Sequence, residues 1–199
     1  MMKAQSGNTL LVSLLLLLIL TLVAVGSIEG VSLGQKMASN YENRGKAFQA
    51  AEAVLAEGER AADLLSQGFD EAHFASGCSG DDCFTAACNK GKCFSGTYSA
   101  GNLCTLDNTA AGPATLDATW ASNALSTAST QNFPDLSVAP RYIIEFRCFV
   151  VADPLAAGTP SVPPPYDADW AYMYRISSLA VGANGGARVL LQSTYKVIQ

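Results

Sequence analysis

From Leu10 to Val25 the chain reads LLVSLLLLLILTLVAV, and no charged residue falls between Lys3 and Glu29. The run holds nine leucines. Each is worth very roughly −0.5 kcal/mol at the centre of a membrane helix, so insertion into a bilayer is favourable. The apolar length is enough to span one. Beyond Glu29 charges appear, yet helical character persists through MASNYENRGKAFQAAEAVLAEGERAADLLS. This second half is alanine-rich and strongly helix-forming. Its apolar residues Ala47, Ala50, Ala51, Val54, Leu55, Ala61, Ala62 and Leu65 share one stripe at 3.6 spacing. The pattern predicts one continuous helix over residues 8–66, about 59 residues and roughly 90 Å at about 1.5 Å each. Its apolar half (8–28) would lie in a membrane, and its amphipathic half (29–66) would be covered by whatever folds next. Gly26, Gly30 and Gly34 recur every fourth residue. That spacing serves either close helix approach or a locally weak stretch, since each glycine costs about 1 kcal/mol against alanine.

The pattern changes period after Ser66. Residues 67–100 are punctuated by glycines and read as loop. Residues 97–139 are rich in Ala, Thr, Ser and Asn; Leu116, Trp120, Ala124 and Leu125 suggest one short amphipathic helix with Thr115 as a candidate N-cap. In Arg141–Val151 the even positions Tyr142, Ile144, Phe146, Cys148 and Val150 form an apolar face, opposite Arg141, Glu145 and Arg147. That alternation predicts a strand with one buried side. Residues 152–169, with five prolines, form a loop. Residues 170–181 and 187–198 are two further strands, joined through Gly182-Ala183-Asn184-Gly185-Gly186 with its Asn-Gly hairpin signal. Val189, Leu191, Tyr195 and Val197 share a face. Three or more antiparallel strands laid against the alanine stripe hide both apolar surfaces, an α+β layer arrangement.

Composition narrows the choices. With 199 residues, about half apolar, there is material for the helix and one head of about 130 residues. A net charge of −5 argues against a nucleic-acid surface. Six cysteines after a membrane-targeting segment point to an oxidising compartment and disulfides. Cys78, Cys83, Cys88 and Cys93 recur every five residues, wider than the C-x₂-C of zinc sites. Two disulfides within that loop are expected, and three pairings remain open. The preferred third bridge joins Cys104, outside the series, to Cys148. Asp81 and Asp82 could help ligate calcium or simply be solvated. His73, the single histidine, has no nucleophile or motif to work with and reads as a surface residue. No catalytic residue, metal or cofactor is indicated. Trp120 reads as an anchor on the sheet, with ligand stacking the alternative.

The polar start MMKAQSG carries Lys3, and a cation ahead of an apolar run stays cytoplasmic, so the chain beyond Val25 should lie outside. Three readings follow: an uncleaved anchor, a secretory signal cut after Ala24-Val25-Gly26, or a leader removed after Gly7 that leaves the apolar helix on the mature chain. The third is what a prepilin looks like. Gln5-Ser6-Gly7-Asn8-Thr9-Leu10-Leu11-Val12 resembles a class III leader junction. Asn43-Arg44-Gly45-Lys46-Ala47-Phe48-Gln49-Ala50-Ala51-Glu52-Ala53 is similar to the R-x-x-A-F-Q-A-A-E-A segment of the PilX family of minor type IV pilins. Residues 140–145 and 189–195 resemble strands of the same family. Residues 67–139 show no comparable match and read as this chain's own.

The resemblance implies a pilin-like α+β fold: a long N-terminal membrane helix packed on an antiparallel sheet head (67–199) with a disulfide-rich loop. Residues 67–139 would be its variable loop region and 140–199 its sheet. It also implies a prepilin peptidase that cuts between Gly7 and Asn8 and methylates the new amine, so enzymes act on this chain and it is not one itself. Implied partners are other minor pilins, the major pilin and a PilY-type tip adhesin. Implied locations are the inner membrane with a periplasmic head, then the extracellular pilus. Most pilins carry a glutamate five residues into the mature chain, and here that place is Val12. This points to the tip complex, where nothing lies above, and to roles in priming assembly and adhesion. The alternatives are a tip pseudopilin of a type II secretion system and a membrane-anchored periplasmic binding module.

Overall fold

A computed structural model describes residues 8–66, 71–104, 112–156, 160, 162, 164, 168–183 and 185–198. Its elements are α1 (Asn8–Ser66), β1 (Lys92–Cys93), α2 (Asp117–Ala121), β2 (Thr127–Ala128), β3 (Arg141–Val151), β4 (Trp170–Val181) and β5 (Arg188–Ile198), with 3-10 turns at Glu71–Phe74 and Pro113–Thr115. The chain divides between Glu42 and Asn43 into two compact units.

In the first unit α1 is long and apolar enough to cross a membrane. Leu10 to Leu20 and Leu22 to Val25 expose large apolar side chains along the helix. The hydroxyls of Ser13, Thr21 and Ser27 donate to the carbonyls of Leu10, Leu18 and Val23, which leaves them satisfied by their own helix, as lipid requires. Positions 26, 30 and 34 are helical, and a methyl group at any of them would meet nothing within 4 Å in this chain.

In the second unit residues 43–66 of α1 lie against a sheet ordered β1-β3-β4-β5, with β2 also paired to β3. β3, β4 and β5 run antiparallel, and β1 is parallel to β3. The alanine stripe does the packing: Ala47, Ala50 and Ala51 meet Ala180 and Val189. Val54 and Ala62 join Tyr142, Ile144, Phe146, Phe149, Tyr172, Tyr174 and Ile176. Small residues let helix and sheet approach closely, and Gly58 marks the tightest point. A methyl group there would lie 2.7 Å from Ile176 Cγ2 and 3.1 Å from Tyr142 Cδ2. Ser178 Oγ donates to the Ala51 carbonyl at 2.8 Å, and Tyr195 OH donates to Asp63 at 2.8 Å.

Two readings of the pattern need correcting. β3 is not a simple alternation with one wet side. The register slips between Phe146 and Cys148, so Arg147 forms a β-bulge and the parity reverses. Phe149, not Cys148, therefore enters the core beside Phe146. The opposite face is covered as well: Ile143 is fully buried beneath Trp120, Ala114 and the Cys88–Cys93 pair, and Glu145 is only 2% exposed. Second, Thr115 caps no helix. Pro113 starts a 3-10 turn, Thr115 Oγ1 donates back to the Gly112 carbonyl, and α2 follows with Leu116 at its N-cap. Trp120 is buried, its Nε1 donating to the Ala114 carbonyl at 2.8 Å. In the β4–β5 connection Gly182 N–H donates to Ala187, while Asn184 lies outside the described residues.

One clip between helix and loop titrates. Glu57 accepts from Ser129 Oγ at 2.5 Å and from the backbone N–H and hydroxyl of Thr130 at 3.0 and 2.9 Å. Partial burial alone would raise its pKa, but these bonds, with Gln131, overcome it and hold the carboxyl below its usual range. A depressed folded pKa gives stability that is present above the unfolded value and lost as pH falls through the folded one. Glu57→Ala is thus expected to lower stability by about 1 kcal/mol at pH 7. Denaturant titrations should show the gap to wild type closing below the carboxylate range; a gap unchanged at low pH would show that packing, not charge, carries the effect.

Candidate assembly elements and the stapled head

The residues singled out at the N-terminus sit in the first unit. Gly7 lies outside the described residues, and α1 begins at Asn8. Val12 is on the helix and 53% exposed. Its side chain offers only apolar surface, so it can neutralise no charge brought against it.

In the head all six cysteines are bridged, as Cys78–Cys83, Cys88–Cys93 and Cys104–Cys148. Of the three pairings open for the five-residue series, the chain takes the sequential one. The reason is local. Asn89 and Lys92 form an isolated antiparallel bridge, so the chain turns back at Asn89–Lys92 and brings Cys88 onto Cys93. The turn needs left-handed backbone at Cys88 (φ 69°), Lys90 (φ 42°) and Gly91 (φ 81°). Gly91 must be glycine for a second reason: a methyl group there would lie 2.6 Å from Thr127 Oγ1. Ile144 N–H donates to the Gly91 carbonyl, and Lys90 and Gly91 donate to Ala124 and Leu125. The hairpin is thereby fastened to the edge of β3.

The two small loops are braced to each other. Asn89 Nδ2 donates to the carbonyls of Gly80 at 2.7 Å and Cys83 at 3.3 Å. Lys90 pairs with Asp81, and Lys92 Nζ reaches the Asp81 carbonyl at 2.9 Å and Asp82 at 3.3 Å. The two aspartates are thus engaged by lysines. Among the described residues no group of three or more His, Cys, Asp or Glu side chains is placed to hold a metal. His73 is half-buried, and its carbonyl accepts from Phe84 N–H at 2.9 Å.

Behind the loops stands an aromatic cluster. Phe74 stacks between Phe84 and Tyr98, with ring centroids 4.8 and 4.2 Å away. Tyr98 OH and Tyr172 OH share a hydrogen bond of 2.9 Å, and burial raises the pKa of Tyr98 far above the usual phenol range. Phe74, Phe84, Phe94 and Tyr98 floor an open pocket of about 470 Å³ with Glu71 at its rim. On the outer face of the sheet Glu145 sits between two arginines. Arg175 Nε and Nη2 donate to its Oε2 at 3.0 and 2.7 Å, and Arg147 Nη1 to its Oε1 at 2.7 Å. Gly112 closes over the group, and any side chain there would collide with Arg175 and Glu145. The alternation singled out Glu145 as solvent-facing; its burial carries no sequence signal beyond an acid and a base directly opposite in the β3–β4 register.

Two family models match the chain. The PilX N-terminal model covers residues 6–56, and the model of the C-terminal part of type IV pilus assembly protein PilX covers residues 89–197. The second match reaches back well before Pro140, so residues 89–139 are shared with the family rather than peculiar to this chain. No curated protein and no solved structure matches it.

Proposed function

Because the chain belongs to the PilX family and is thus a minor pilin, a structural component of the type IV pilus, we propose that it occupies the filament tip, in the complex that primes assembly and supports adhesion. Residues 1–7 are then a leader cut at Gly7–Asn8 by the prepilin peptidase, which methylates the new amine. Residues 8–28 hold the chain in the inner membrane, 29–66 continue the helix in the periplasm, and the head 67–199 becomes extracellular on assembly. Other minor pilins, the major pilin and a PilY-type adhesin are the partners this reading names.

The single observation that carries the tip assignment is Val12. In pilins the glutamate of that position meets the free amine of the subunit above, inside the apolar filament core. A buried amine left without its carboxylate costs several kcal/mol. A subunit with valine there imposes that cost wherever a neighbour stands above it, and escapes it only when it is first.

Immunogold labelling of native filaments should place the protein at tips, and its deletion should lower pilus number more than pilus length. Val12→Glu should raise its share along the shaft. Even labelling of shafts at a density unchanged by Val12→Glu would overturn the tip assignment and leave the pilin assignment standing. Gly7→Trp should leave the longer precursor on a gel, and Edman sequencing of the mature wild type should begin at Asn8.

A further inference from the structure

Residues 129–140 join β2 to β3, and the two ends of the segment meet. Ala128 pairs with Arg141, and Ser129 N–H donates to the Pro140 carbonyl at 2.9 Å. Closed ends of this kind define an Ω-type loop. The base is fixed by Arg141, whose guanidinium donates to Ser126 and to the Ser122 carbonyl. The tip is folded on itself, with Leu136 N–H donating to the Phe133 carbonyl across Pro134-Asp135. The loop lies along α1, and none of residues 129–139 is buried. Polar ties fasten it at two places. Near the base Glu57 accepts from Ser129, Thr130 and Gln131. At the tip Asp135 faces Lys46 at 4.0 Å, and Ser137 Oγ donates to the Gly182 carbonyl at 2.9 Å. Glu57 and Lys46 stand about 16 Å apart along the helix. Between the ties packing is incomplete. Phe133 and Leu136 reach the core only in part, and a cavity of about 190 Å³ separates Lys46, Gln49 and Ala50 from residues 132–136. Side chains that border a void lose the contacts of a close-packed seal, so the loop is held mainly at its ties.

We propose that residues 129–140 are a hinged flap, latched by Glu57, that lifts from α1 as one body while the sheet stays folded, and that acid releases it. Opening keeps the pairs at the base and breaks only the ties at Glu57, Lys46 and Gly182, a local step that needs no global unfolding. It bares the flank of α1 around Gln49 and Ala50. Glu57 is the titrating latch. The flap faces it with uncharged Ser129, Thr130 and Gln131, and β3 with Tyr142, a phenol that burial keeps neutral. On α1 itself Arg60 Nε donates to the Ala56 carbonyl, and Glu59 and Asp63 lie by Tyr195 of β5. The flap carries one charge of its own, Asp135 at the tip. Bonds to the closed flap hold the Glu57 carboxyl below its usual range. Their contribution to closure is therefore present above the open-state pKa and lost as pH falls through the closed-state one.

The test is thiol labelling of the full-length chain in detergent with 4,4′-dithiodipyridine. All native cysteines are bridged, so an introduced thiol is the free one. Ala50→Cys lies beneath the flap and Ala51→Cys beneath the sheet, and Gly45→Cys is exposed and corrects for the pH dependence of the thiol chemistry. Relative to Gly45→Cys, labelling of Ala50→Cys should rise about fivefold when Glu57→Ala is added at pH 7. Acidifying the chain with Glu57 intact, through the carboxylate range, should produce the same rise, and Glu57→Ala should abolish that response to acid. Labelling of Ala51→Cys should stay slow throughout. Ala50→Cys and Ala51→Cys accelerating together would show the helix leaving the sheet, and would overturn the flap. No acceleration of Ala50→Cys under either treatment would overturn it as well. An acid response that persists undiminished in Glu57→Ala would overturn Glu57 as the latch. Should Glu57→Ala not fold, the acid series on the chain with Glu57 intact decides whether the flap opens.

Discussion

Glu145→Ala should destabilise the head by about 3–5 kcal/mol, the cost of removing one partner from a buried ion pair. The carboxylate is 2% exposed and holds Arg147 and Arg175 on separate oxygens. Its loss leaves two guanidiniums on the covered outer face of β3 and β4 without their shared counter-charge. Urea unfolding of the detergent-solubilised protein is the measurement, read as a lower midpoint with an unchanged slope. Glu145→Gln should fare little better, because an amide keeps the shape and removes the charge. A loss below about 1 kcal/mol, the range of surface pairs, would mean that water reaches the group.

The glycines of α1 should respond with opposite signs. Gly45→Ala, where a new methyl group meets nothing within 4 Å, should stabilise by about 0.5–1 kcal/mol through helix propensity alone. Gly58→Ala gains the same propensity but drives its methyl group to 2.7 Å from Ile176 Cγ2. Ile176 is fully buried and branched at Cβ, so it has nowhere to turn. Overpacking costs about 1–3 kcal/mol and outweighs the gain, and Gly58→Leu should prevent the helix from docking at all. Thermal melts of the pair in parallel decide it: two variants shifting the same way would show that propensity, not packing, governs both positions.

The same two residues show what sequence can and cannot say here. Gly45 and Gly58 look alike in a helical pattern, and only the partner surface, at Tyr142 and Ile176 far along the chain, tells them apart. The helix, its alanine stripe and the three long strands were legible because each rests on a period within one segment. The Cys88–Cys93 pairing was not, because even spacing satisfies all three connectivities and the choice is made by a turn at Asn89–Lys92. Nor was the bulge at Arg147: one extra residue reverses the parity, so Phe149 and Cys148 exchange roles without any change of composition. Glu145 read as solvated because a single strand cannot show what covers its second face. Val12 was legible as a departure from a family pattern, and its meaning depends on the filament.

The clasp between the helix and strands β4 and β5 also sets an order of events as the chain is made. Ser178 grips Ala51 across 127 positions and Tyr195 grips Asp63 across 132, so an early segment of the chain is completed by its last two strands. Until β3, β4 and β5 have all been made, the alanine stripe has no complete sheet to meet. Synthesis is vectorial, and over most of it the chain must remain an unfinished intermediate. A chain stopped before Tyr195 should therefore fail as a whole rather than lose its final strand, and cellular proteases should clear it.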